Sequence, residues 1–298
     1  MSSEITLLDG ATGTELQARG ASVPNHITSI WSAQVLLDDP EKVVEVHDAY
    51  IEAGADVITV NNYAVTRPLL ARENLDHRFG ELTDCALDLA ERSRDKAVRS
   101  VRIAGSLPRL ETSYRPGLVL DDATLLRDYE EMVEKLAPRV DILLCETMSC
   151  VREARAAAQA ACGAGIPVWL GWTLQGDRPD QLPSGESLPE AFEAVAEFGL
   201  EATMVNCCGA NFVTRAMPIL ASVSDRRIGG YANAAHVHEA DQDAPVPEPE
   251  EVEKRELDAS DYCAEVRNWV QDGATIVGGC CSTRPAHIRA LREMIDTL

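Results

Sequence analysis

The 298-residue sequence predicts an α/β fold in which eight parallel strands, each followed by a helix, close into one barrel. Three observations carry this expectation. Short, nearly continuous apolar runs alternate with longer stretches of helical periodicity, as in strands covered on both faces by crossover helices. The runs number eight, the arithmetic of a single (β/α)8 barrel. Two vicinal cysteine pairs stand at the C-terminal ends of such runs, the end where barrels build their sites. A doubly wound open sheet shows the same alternation and is the alternative.

Taken in order, the β-type runs cover residues 5–9, 56–60, 101–106, 141–145, 168–173, 203–206, 227–231 and 275–278. Residues 40–53 carry apolar side chains at helical spacing and stop at Gly54. Residues 72–98 are long and amphipathic and are predicted as one helix. Residues 122–137 open behind Asp121, a capping residue, and stop at Pro138. The Ala-rich stretch 150–162 stops at Gly163, 188–198 stops at Gly199, and 259–271 stops before Gly273. Residues 285–298 begin with Pro285 in the first turn, where the missing N–H is harmless. Residues 211–222 are a weaker helix because Pro218 interrupts them. Two loops are long. One covers 175–187. The other, 236–258, holds Pro245, Pro247, Pro249 and nine acidic residues from Glu239 onward. Such a charge run reads as a solvated loop, and its length also suits a lid. No internal repeat is present, and a barrel of this length is one domain, 1–298.

Composition narrows the function. The chain is 45% hydrophobic and carries a formal net charge of −22, with a pI near 4.6. That surface repels phosphate backbones and anionic lipid, so neither nucleic acid nor a membrane surface is an expected partner. No stretch approaches the roughly 20 apolar residues that span a bilayer. The first residues, Met1-Ser2-Ser3-Glu4, lack a basic region followed by an apolar core, so a cytoplasmic protein is expected. Nine cysteines in that setting read as reduced thiols, packed or metal-binding.

The thiols carry the chemistry. Gly278-Gly279-Cys280-Cys281 and Cys207-Cys208 each follow an apolar run. Adjacent side chains on a strand point to opposite faces. The two glycines are expected to let the chain turn so that both following thiols reach one metal. A buried cysteine pair can also be two small hydrophobes. Two pairs at two strand ends favour a thiolate site, and soft ligands in a reducing cell favour zinc and chemistry on sulfur. Spacing does not choose between Cys207 and Cys208. Cys85, Cys150, Cys162 and Cys263 are left to core or surface, and Cys145 packs within its strand.

A resemblance sharpens this. The opening Leu8-Asp9-Gly10-Ala11-Thr12-Gly13-Thr14-Glu15-Leu16 leads to Gly54-Ala55-Asp56-Val57-Ile58-Thr59, Asn62-Tyr63 and Ala104-Gly105-Ser106. Then come Asp141-Ile142-Leu143-Leu144-Cys145-Glu146-Thr147 with Glu153, Asn206-Cys207 and Gly278-Gly279-Cys280-Cys281. Over nearly its whole length the chain resembles the homocysteine S-methyltransferase family, which includes betaine-dependent enzymes and the homocysteine module of cobalamin-dependent methionine synthase. The resemblance implies a TIM barrel with one Zn2+ held by Cys207, Cys280 and Cys281, the residue after Asn206 being the ligand. It implies that Glu146 holds the homocysteine amino group, that Asp9, Gly10 and Thr59 touch substrate, and that Tyr63 stands on the donor side. Read alone, Glu146 is also an acid at a helix N-terminus, Asp9-Gly10 a turn, and Tyr63 packing.

The expected reaction is zinc-dependent transfer of a methyl group from an onium donor, S-methylmethionine or S-adenosylmethionine, to homocysteine, giving methionine. No protein nucleophile is needed. A length of 298 residues leaves no room for a cobalamin-binding module. Betaine or a separate corrinoid protein as donor, another acceptor thiol or selenol, and a thiol redox or metal-buffering protein are the alternatives. The redox reading expects Cys208 to matter as much as Cys207. The chain departs from the family after its seventh run, where Tyr231-Ala232-Asn233-Ala234-Ala235-His236 stands in place of a Pro-Asn turn, and in the acidic loop. His236 and His238 read as loop histidines before metal ligands. Oligomeric state is not legible in the sequence.

Overall fold

Apolar runs this continuous need cover on both faces, and the chain provides it by closing the sheet and ringing it with helices. The computed structural model describes residues 4–25, 28–175, 178, 180–237 and 254–298. Eight parallel strands form the sheet: β1 (Thr6–Leu7), β2 (Val57–Thr59), β3 (Arg102–Leu107), β4 (Ile142–Met148), β5 (Val168–Trp172), β6 (Ala202–Gly209), β7 (Arg227–Asn233) and β10 (Ile276–Gly279). Their order is β1-β10-β7-β6-β5-β4-β3-β2. The ring closes between β1 and β2, where Asp9 N donates to the Val57 carbonyl at 3.0 Å and Asp56 N to the Leu7 carbonyl at 2.7 Å. This is the barrel, not the open sheet. Its lumen is packed, with Leu8, Val57, Leu144, Trp169, Met204 and Ile276 meeting from strands around the ring. A larger apolar core separates strands from helices.

The helices are α1 (Thr12–Ala18), α2 (Ala33–Asp38), α3 (Glu41–Ala53), α4 (Arg67–Ala71), α5 (Phe79–Lys96), α6 (Asp122–Leu136), α7 (Val151–Cys162), α8 (Leu188–Ala194), α9 (Ala210–Val223), α10 (Ala259–Gln271) and α11 (Pro285–Ile295). Local signals set several ends. Asp121 accepts from Thr124 N at 3.1 Å to start α6, and Gly54, at φ +106, ends α3. No helix among the described residues is long and apolar enough to cross a membrane.

Four expectations are corrected. The helix expected over 72–98 starts late and stops early: Asn74 turns left-handed at φ +57, a 3-10 turn covers Asp76–Arg78, and α5 spans only Phe79–Lys96. Apolar spacing continues across that turn, which is why periodicity alone misses it. The segment 188–198 helixes only to Ala194, because Val195 adopts φ −113, ψ 5. Residues 211–222, weakened on paper by Pro218, lie in an unbroken α9 whose Phe212, Val213, Ala216, Met217 and Leu220 are buried. The C-terminal helix stops at Ile295 rather than running to Leu298. Helices α1, α2 and α4 were not expected, nor was the antiparallel pair β8 (Ala235–Val237) and β9 (Lys254–Glu256). Of the acidic loop expected at 236–258, residues 238–253, and His238 with them, lie outside the described residues.

Candidate metal centre and substrate pocket

The C-terminal strand ends open into a cavity of about 1100 Å³ whose lining includes Asp9, Gly10, Thr59, Tyr63, Glu146, Cys207, Cys280 and Cys281. Every site residue expected from the sequence is therefore at one place. Within it, the Sγ atoms of Cys207, Cys280 and Cys281 lie within 4.8 Å of one another, with Cys207 and Cys281 Sγ 3.9 Å apart. Four sulfur-type ligands at about 2.3 Å in a tetrahedron would stand about 3.8 Å apart, so this trio fits zinc and leaves a fourth position. Cys208 packs into the core and is not part of the trio. Burial pushes its thiol up to about 12. The redox reading, which needs the two neighbours to act alike, loses its geometric basis.

Backbone irregularity assembles the trio. The register of β6 against β7 shifts between Asn206 and Gly209, and Cys207 stands at φ +56. Asn206 fixes that turn, its Oδ1 accepting from Thr147 N at 3.0 Å and its Nδ2 donating to Thr147 Oγ1 at 2.9 Å. On the other side, Cys280 N donates to the Ala232 carbonyl at 2.7 Å and Cys281 N to Asn233 Oδ1 at 3.1 Å. Asn233 lies in the stretch where the chain departs from the family, and it orients a cysteine. The role expected of the two glycines is corrected. Neither Gly278 nor Gly279 has a positive φ; the left-handed residue is Ser282, at φ +64. The glycines instead allow close approach: a side-chain carbon on Gly279 would meet Thr283 Oγ1 at 2.3 Å, and one on Gly278 would meet Leu8 Cβ at 2.5 Å.

Two buried carboxyls complete the floor. Asp9 accepts from Thr59 N at 2.7 Å and Thr59 Oγ1 at 3.0 Å. Glu146 accepts from Ser106 Oγ at 2.5 Å and the Tyr231 hydroxyl at 3.4 Å. Burial pushes Asp9 up to about 7, with the Glu146 charge adding, against hydrogen bonds from Thr59. Burial likewise pushes Glu146 up to about 7, against hydrogen bonds from Ser106 and Tyr231. Among the described residues neither carboxyl has a cationic partner. Two acids raised this way suit a ligand that brings its own positive charge. Tyr63 Oη lies 2.7 Å from Ser113 Oγ. His236 is elsewhere, its Nε2 2.6 Å from Glu265 Oε1.

Sequence reasoning missed several lining residues. Trp31, Tyr114, Thr147 and Ser282 all line the cavity. With Cys207 they are five of the six described non-glycine residues at positive φ. Each such conformation costs on the order of 1–3 kcal/mol, and such strain clusters at functional sites. No local signal marks them, because the strain is imposed by neighbours distant in sequence. Tyr114 is the most pointed case: its hydroxyl donates to the Cys207 carbonyl at 2.8 Å and lies 2.9 Å from Cys207 Sγ.

Comparison with known proteins agrees with the geometry. The family described as homocysteine S-methyltransferase matches residues 6–295. The chain is 29% identical to the homocysteine S-methyltransferase of Escherichia coli (strain K12), covering 97% of this chain and 94% of that one. It is 28% identical to a selenocysteine methyltransferase of Astragalus bisulcatus, covering 98% and 92%. The crystal structure of the homocysteine methyltransferase MmuM from Escherichia coli, metallated form, superposes with a TM-score of 0.80 at 26% identity, covering 98% of this chain and 96% of that one.

Proposed function

We propose, for a chain that belongs to the homocysteine S-methyltransferase family, that it moves a methyl group from a sulfonium donor, S-methylmethionine or S-adenosylmethionine, to the thiol of homocysteine, with zinc as the metal. The carrying observation is the trio of thiols within 4.8 Å at the mouth of the barrel, beside two buried carboxyls without a cation. Cys207, Cys280 and Cys281 would hold the metal; an all-thiolate donor set favours zinc, and the metallated form of the E. coli relative supports a metal there. Bound zinc supplies a Lewis-acid position at which the acceptor sulfur is held as thiolate near neutral pH.

The remaining work falls to the protein's own groups. Glu146 and Asp9 face the acceptor's ammonium, and its charge draws both carboxyls into the ionised state. Thr59 and Ser106 fix those carboxylates through the hydrogen bonds described above. Trp31, Tyr63 and Tyr114 give the donor side of the cavity an aromatic lining, to which a sulfonium is attracted as a cation. A bond forms between the acceptor sulfur and the methyl carbon as the bond to the donor sulfur breaks. The donor sulfur keeps the electron pair and leaves as a neutral thioether. The pocket aligns the two sulfurs and keeps water out, so no covalent enzyme intermediate is required. The likeness to a selenocysteine methyltransferase favours one second reading, a selenol acceptor in the same pocket.

The deciding experiment assays the purified, reduced protein against homocysteine and selenocysteine with S-methylmethionine, S-adenosylmethionine and betaine, alongside metal analysis. About one zinc per chain and methionine formed from a sulfonium donor are expected. Full activity without metal, or transfer from betaine alone, overturns this reading.

A further inference from the structure

Behind the cavity, and outside its lining, lies a fully buried ion pair. Arg109, just past β3, and Glu153, in the first turn of α7, are each 1% exposed. Arg109 Nε donates to Glu153 Oε2 at 3.1 Å. Desolvation of two charges largely offsets their attraction, so a pair like this is weak grounds for stability. Its other hydrogen bonds distinguish it. Arg109 Nη1 donates to the Thr112 carbonyl, and Nη2 to the Arg115 carbonyl at 3.3 Å. Glu153 Oε1 accepts from Leu110 N at 3.1 Å and from the Tyr129 hydroxyl at 3.4 Å. Both ions thus bind the backbone of one loop, 108–118, and Arg109 brackets Tyr114 by holding carbonyls on either side of it. Other side chains grip the loop at its first residues: Tyr129 at the Pro108 carbonyl, Thr66 at the Leu110 carbonyl, and Arg72 at the Glu111 carboxylate and the Thr112 hydroxyl.

The loop's inner edge is part of the site. Ser113 meets Tyr63 and Tyr114 meets Cys207. Tyr114 at φ +63 and Cys207 at φ +56 face each other, two left-handed residues across one contact. Such backbone persists only where its surroundings over-determine it, and the bracketed carbonyls do this at Tyr114.

We propose that the Arg109–Glu153 pair is a positioning device: it holds the 108–118 loop so that Tyr114 stays against Cys207 and the donor-side wall keeps its shape. The effect on rate rests on the methyltransferase reading; the effect on the loop does not. The test compares the parent with Tyr114→Phe and with the double replacement Arg109→Met plus Glu153→Leu. The double replacement removes both charges at similar volume, a change that buried pairs commonly tolerate. In the metal-free protein, amide hydrogen exchange across 108–118 is expected to lose protection while the barrel strands keep theirs. In the loaded protein, kcat falls about 100-fold, the order that a 1 Å misplacement produces, with KM for homocysteine unchanged. Tyr114→Phe lowers kcat without changing exchange.

Parent protection of 108–118 in the double variant overturns the proposal, as does a loosened loop with parent kcat. Should the double variant fail to fold, Tyr114→Phe decides: parent kcat there overturns the proposal. A parent that methylates no acceptor overturns the functional reading instead, and the exchange measurement still judges the loop.

Discussion

Cys207 and Cys208 are neighbours with opposite fates, and the left-handed backbone at Cys207 separates them. Cys207→Ser removes one of three thiols from the cluster and is expected to abolish stable metal binding and methyl transfer. Cys208→Ser keeps both and lowers stability by about 1 kcal/mol, as a buried apolar thiol becomes a hydroxyl. Metal analysis and urea denaturation check the pair. Glu146→Gln is expected to weaken homocysteine binding about 10- to 100-fold, the worth of a hydrogen bond to a charged group; calorimetric titration measures it. At this scale, the identities of Asp9, Thr59, Glu146 and the cysteines were legible because each ends a recognisable apolar run and a known motif contains it. Trp31, Tyr114 and Asn233 were not. They act through contacts with residues far along the chain, as Tyr114 does with Cys207, 93 positions away.

Elements were most legible where local chemistry agrees with packing. Asp121, Gly54 and Pro285 mark helix ends that the structure reproduces. Helix α9 shows the opposite case. Pro218 removes an intrahelical hydrogen bond, yet buried side chains on both sides of it hold the helix together. Pro218→Ala should therefore stabilise the protein by up to about 3 kcal/mol, read from the urea midpoint, with kcat/KM unchanged. The late start of α5 was illegible for the same reason in reverse: Leu75, Phe79 and Leu82 keep helical spacing, so only the left-handed backbone at Asn74 and the 3-10 turn after it reveal that the helix has not begun.

For the whole molecule, the two buried carboxyls link pH to stability. Burial pushes Asp9 and Glu146 up to about 7 in the folded, ligand-free protein, from ordinary carboxyl values of 3.8 and 4.5. Between roughly pH 4 and 7 the folded state binds more protons than the unfolded chain, so their contribution falls as pH rises through that window and then levels off. Glu146→Gln removes its share, and the parent-minus-variant difference in urea midpoints isolates it from the general effect of a net charge of −22. The variant should gain stability relative to the parent as pH rises from 5 to 8; a constant difference would contradict the assignment. An ammonium ligand favours the ionised carboxylates, so homocysteine binding should strengthen over the same rise.

The sequence by itself determined the alternation of strands and helices, the count of eight and the placement of thiols at strand ends, because these rest on periodicities of two and 3.6 and on residues that start or stop an element. The tertiary structure alone decided which thiols meet, why the two glycines are needed, and which loop is pinned against Cys207. Those depend on ring closure, which brings Cys207 to Cys281 across 74 residues and sets Thr283 against Gly279. Closure is a property of all eight strands together, and no window of the chain contains it.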